Sequence, residues 1–69
     1  MANFESPLAG KILEINIEVG QVVTEDDELV IIEAMKMENP AFGPEGTVKE
    51  IKVKVGDKVE EGQILAIIE

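Results

Sequence analysis

Apolar residues recur along this chain in short alternating runs. Between Gly10 and Val19, Leu13 aside, they fall at Ile12, Ile15, Ile17 and Val19, and further on Val48, Ile51, Val53 and Val55 repeat the spacing. From Ile15 and from Ile51 onward the alternation has the period of two expected of a half-buried strand. The step of three from Ile12 to Ile15, repeated from Val48 to Ile51, breaks that period at the same point in both runs. It predicts a β-bulge or sharp bend that lets one strand serve two packed layers. Glu28–Glu33 and Gln63–Ile68 hold near-continuous apolar runs, short enough for strands and too short for helices. Val19-Gly20-Gln21 and Val55-Gly56-Asp57 read as tight turns, where glycine supplies a positive φ at no steric cost. No stretch sustains a helical period, and Pro7, Pro40 and Pro44 interrupt the remainder.

These coincidences follow one rule: shifted by 36 residues, the sequence matches itself without a gap. Gly10 falls on Gly46, Ile15 on Ile51, Val19-Gly20 on Val55-Gly56, Val23 on Val59, Leu29 on Leu65, and Ile31-Ile32-Glu33 on Ile67-Ile68-Glu69. Aligning Pro7–Glu33 with Gly43–Glu69 gives 11 identities in 27 pairs. Two copies are too few for a solenoid. The expected product is one all-β domain over residues 1–69, with an internal repeat of 7–33 and 43–69. Its architecture is a flattened barrel-sandwich: two small antiparallel sheets closed around an Ile/Val/Leu core, in two quasi-symmetric halves about a pseudo-two-fold axis. Ala34–Asn39 then becomes the central hairpin joining the fourth strand to the fifth, and the chain ends are expected together at the opposite end.

Composition narrows the function classes. A chain of 69 residues is near the lower size limit for folding unaided. With no cysteine or histidine, disulfides are excluded and a structural zinc site is not expected. A net charge of −9, a sequence pI of about 4.3 and no arginine argue against nucleic acid and against anionic membrane surfaces. No apolar run is long enough to span a bilayer, and no start resembles a signal peptide, so neither membrane insertion nor export is expected and the expected location is cytoplasmic. The absence of His, Cys, Tyr, Trp and Arg also removes the usual nucleophile–base pairs. Only Ser6, Thr24 and Thr47 carry aliphatic hydroxyls. The expectation is a protein that is not itself an enzyme.

One motif stands outside the repeat. In EAMKMENP, Glu33 to Pro40, a lone lysine, Lys36, is bracketed by Met35 and Met37, with Ala34, Glu33 and Glu38 beside them. An apolar pair around a charge is a poor choice for an ordinary surface turn. An exposed ammonium is no nucleophile unaided, which weakens a Schiff-base role needing a desolvated lysine. The motif, with the repeated Gly-x-Val/Ile…Val-Gly…Val…Leu-x-Ile-Ile-Glu pattern around it, resembles the biotinyl domain of biotin carboxyl carrier proteins from about Pro7 to Glu69. That resemblance implies biotin in an amide bond to Lys36, attached by a biotin protein ligase through biotinyl-adenylate. It implies that the ureido ring carries a carboxyl group from a biotin carboxylase to a carboxyltransferase or decarboxylase subunit. Met35 and Met37 then read as soft apolar contacts for more than one visiting active site, and Ala34, Glu33 and Glu38 as the hairpin context.

The ungapped repeat leaves no room for the inserted thumb loop of some bacterial acetyl-CoA carboxylase carriers. The match therefore tilts toward thumbless biotinyl domains, including those of decarboxylases, transcarboxylase and stand-alone attachment proteins. The nearest rival is a lipoyl domain, which shares the duplicated architecture but typically reads Asp-Lys-Ala at its tip. A third reading is an unmodified interaction module, which would tolerate Lys36→Arg. Thr24-Glu25-Asp26-Asp27-Glu28 lacks the spaced carboxylates and glycine of a calcium loop and reads as a solvated turn. Asp26-Asp27 stands where the resemblance leads one to expect Gly-Gln, as in Gly62-Gln63, and Gln21 replaces the commoner Asp seen at Asp57.

Overall fold

Isoleucine and valine at alternate positions favour extended backbone with one apolar face, and such a face is stable only when it is covered. The computed structural model, which describes residues 2–69, meets both demands with eight short strands and no helix among those residues. They are β1 (Ala2–Glu5), β2 (Gly10–Ile15), β3 (Val22–Val23), β4 (Val30–Ala34), β5 (Met37–Ala41), β6 (Gly46–Ile51), β7 (Lys58–Val59) and β8 (Ile64–Ile68). Two four-stranded antiparallel sheets result, in the orders β5-β4-β2-β7 and β1-β8-β6-β3. Each half lends a short edge strand to the other: β7 pairs with β2, and β3 with β6.

The core repeats as the sequence does. Ile12 and Val48, Ile17 and Val53, Val23 and Val59, Leu29 and Leu65, Val30 and Ala66, and Ile32 and Ile68 are all buried in one cluster. Two further buried residues complete it, Phe4 and Ala41. Phe4 lies opposite Ala66 and Ala41 opposite Val30, so the large ring faces the small partner in one sheet. Gly43 leaves room for that ring, since a Cβ there would stand 2.7 Å from Phe4 Cδ1.

Both predicted bulges are present, as register shifts between Ile12 and Glu14 and between Val48 and Glu50. They do not carry a strand into the second layer, however. β2 ends at Ile15, and the crossing is made by the segment beyond it. The Asn16 amide still donates to the Leu29 carbonyl of the first sheet, whereas the Gly20 amide donates to Val48 of the second. Val19 and Val55 are 64% and 63% exposed because they sit in the turns, read from the sequence, that end these crossings. Gly20 and Gly56 have φ of 93° and 97° there. The side chains of Gln21 and Asp57 play one role, accepting from the amides of Glu18 at 3.0 Å and Lys54 at 2.9 Å.

The N-terminal segment is a second departure. Residues before Pro7 lie outside the repeat, yet β1 is a full strand of the sandwich and Phe4 is 1% exposed. β1 takes against β8 the place that β5 takes against β4. Pro40, read as an interruption, lies within β5, where an edge strand tolerates a residue without an N–H.

Candidate functional site

The pairing of β4 with β5 runs from Val30↔Ala41 to Ala34↔Met37, leaving a loop of just two residues, Met35 and Lys36. A two-residue connection matches the right-handed twist of its strands when both residues adopt positive φ, a turn usually built from Asn-Gly. Here φ is 55° at Met35 and 65° at Lys36, and no other non-glycine among the described residues has a positive φ. For side chains with a Cβ this conformation costs on the order of 1–2 kcal/mol per residue. Strain of this kind persists only where the surroundings impose it, and it collects at functional sites.

The surroundings do impose it. β4 is an inner strand, hydrogen-bonded on both sides and buried at Val30 and Ile32. The Asn39 side chain braces the returning strand, donating to the Met37 carbonyl at 3.1 Å with a longer approach to Ile32 O at 3.4 Å. The result holds Lys36 in solvent, outside both ion pairs found among the described residues, Lys49–Glu69 and Lys52–Glu50. Met35 is 93% exposed and Met37 65%. Ala34 is half-buried at the base of the tip.

Glu33 and Glu38 face each other directly across the hairpin, which is itself unfavourable for like charges. The row continues through β2 and β7, where Lys11 lies opposite Glu33 and Lys58 opposite Lys11. One exposed row beneath the tip thus reads Glu38, Glu33, Lys11, Lys58. Alongside it runs an open groove of about 460 Å³ bounded by Gly10, Lys11, Glu33, Ala34, Met35 and Lys58. Gly10 permits the close pass of β2 under β4, since a Cβ would run into the Glu33 carbonyl oxygen.

All six site residues named from the sequence are therefore brought together on one hairpin. Asn39, Gly10, Lys11 and Lys58 belong to the same region and were not singled out. The match of Gly10 to Gly46 is a signal for a close backbone approach. The pairing of β2 with β7, which brings in Lys58, has no local signal.

The chain matches the family model described as biotin-requiring enzyme over residues 2–68. It is 40% identical over 65 residues to the mitochondrial propionyl-CoA carboxylase alpha chain of Homo sapiens, covering 93% of this chain and 9% of that protein. To the biotin carboxyl carrier protein of Streptococcus mutans it is 44% identical over 64 residues, covering 91% of this chain and 49% of that one. Among solved structures, the Kluyveromyces lactis urea carboxylase superposes with a TM-score of 0.87 at 35% identity, over 99% of this chain and 6% of that one. The chain thus spans about half the length of the carrier protein and under a tenth of each carboxylase.

Proposed function

The chain belongs to the biotin-requiring enzyme family, and from that premise we propose that it is a carrier whose Lys36 is acylated by biotin. The observation that supports this most is the tip itself: an exposed amine, in no ion pair among the described residues, on a strained two-residue turn flanked by two exposed methionines. Neither the strain nor the exposed apolar surface serves folding.

The residues present suit such an attachment. A biotin protein ligase would present biotinyl-adenylate; Lys36 Nζ, once deprotonated there, attacks the acyl carbonyl, an amide forms and AMP leaves. The two-residue turn limits where Nζ can be, so reach and direction are set before the encounter. Met35 and Met37 offer adaptable apolar contact to several enzyme surfaces without a fixed shape. Glu33 and Glu38 place negative charge around the amine and give the hairpin a polar rim. Once attached, biotin supplies carboxyl transfer through its ureido ring, and the protein supplies position and recognition.

In this reading the domain shuttles between a biotin carboxylase and a carboxyltransferase or decarboxylase subunit and performs no chemistry of its own. The acceptor is chosen by that second partner. Co-expression with a biotin protein ligase, followed by intact-mass measurement, tests the attachment. One biotinyl group should be gained by the native chain and none by Lys36→Arg, which keeps the charge but cannot be acylated. A native chain that gains no biotin, or gains lipoate when lipoylating enzymes are supplied, overturns the reading.

A further inference from the structure

Internal duplication gives every position in one half a control in the other. Lys11 and Lys58, paired across β2 and β7, correspond to Thr47 and Val22, paired across β6 and β3. The backbone is the same, but the lysine pair occurs only in the sheet that carries Lys36. Two adjacent ammonium groups on neighbouring strands repel each other, and neither is in an ion pair among the described residues. Glu33 lies across from Lys11 on its other side, whereas Lys58, on the edge strand, has only Lys11 across from it, so the outer end of the row is positive and open to an anion.

We propose that the groove beside the tip is a resting site for the biotinyl ring in its carboxylated, anionic form, with Lys11 and Lys58 holding the carboxylate. The proposal rests on the attachment at Lys36. Met35 and Ala34 form the apolar wall next to the tip and Glu33 stands at the rim, an acceptor suited to the remaining ureido N–H. The groove volume lies within the ~300–1,000 Å³ of small-molecule sites. Because the ring is tethered next to the groove, its effective concentration there is high and a weak contact suffices. The carboxylate must lose its charge to the ring as carbon dioxide leaves. An ammonium held at the carboxylate therefore stabilises the starting state more than the departing one and slows loss to water.

The test uses the full chain, first shown by intact mass to carry one biotinyl group, then carboxylated from bicarbonate by a biotin carboxylase, with MgATP converted to ADP and phosphate. Amide chemical shifts are compared between the unloaded, biotinylated and carboxylated states. The amides of Gly10, Lys11, Lys58 and Val59 are expected to move on carboxylation, and less so at high salt, which screens an open ion pair. In Lys11→Gln/Lys58→Gln those shifts should vanish and isotopically labelled carbon dioxide should be released severalfold faster. Lys49→Gln, on the other sheet, should behave as the native chain. Shifts confined to Ala34–Glu38, or equal release from native and double variant, overturn the resting site and leave the carrier reading intact. Failure to gain the biotinyl mass overturns both.

Discussion

Residues 10–33 and 46–69 build the same unit twice, with the same bulge, the same glycine turn and six matched core positions. The strands that flank the two units have entirely different origins. After Glu33 the chain turns back through two residues in a conformation that neither side chain favours, and β5 lies down beside β4. The corresponding place beside β8 is taken by β1, which arrives from the other end of the chain. The difference separates two kinds of constraint. Positions that fill the shared core have stayed aliphatic in both copies, three of the six pairs by identity, while the tip, the rows beneath it and the turn at Asp26 have each gone their own way. The duplicated fold therefore separates the shared core, present twice, from the hairpin at Lys36, present once.

The sharpest way to break this comparison is through the matched core. Leu29→Ala and Leu65→Ala should each destabilise by about 2–5 kcal/mol, the range for deleting a buried leucine, and by similar amounts. Urea unfolding of both variants checks this. A difference approaching the whole of that range would mean that the halves are not energetically equivalent, despite equal burial.

A smaller effect separates the turns. Residues 24–27 and 60–63 share a plan: the Asp27 and Gln63 side chains accept from the amides of Thr24 and Glu60 at 2.9 and 3.0 Å. Gly62, however, has φ of 86°, and Asp26 in the same place has no positive φ. Gly62→Asp should cost about 1 kcal/mol in thermal unfolding, the penalty of a Cβ in that region. Asp26→Gly should cost less, acting chiefly by freeing the unfolded chain. Equal costs would show that the two turns are interchangeable.

The smallest effect has the opposite sign. Asparagine accepts positive φ more readily than methionine, so Met35→Asn should stabilise the fold by a few tenths of a kcal/mol, up to about 1. Its biotinylation rate should fall if the exposed methionine is a contact for visiting enzymes. A chain that becomes more stable and is labelled as fast would assign Met35 no part in recognition.

Most of this architecture is legible in the sequence because the 36-residue shift survives in residues that pack. Ile12/Val48 and Leu29/Leu65 announce themselves, as do the glycine turns and the two bulges. Lys36 is legible for the opposite reason: it falls in the one segment the repeat does not explain. β1 is not legible, since its equivalence to β5 is one of place and no residue identity marks it. Phe4 is buried only because Ala66 and Gly43 leave it space, a relation among three distant positions. Alternation alone misleads at Val19 and Val55, where it continues past the point at which the strand ends, and only the glycine that follows each marks the turn. Lys58 joins the site through a two-residue strand that crosses from the other half, and no local pattern carries that information.

The exchange of edge strands has a consequence for motion. Each sheet is completed by a strand from the opposite repeat, so neither repeat can loosen while the other stays closed. Partial opening of one half would strip the other of its edge, and the amide protons of β2, β4, β6 and β8 should exchange with solvent only in events that open the whole molecule. Strand pairings this distant along the chain also form slowly, on the millisecond-to-second scale of all-β domains. What swings at Lys36 is then the side chain and whatever it bears, on a mount that is either fully assembled or absent.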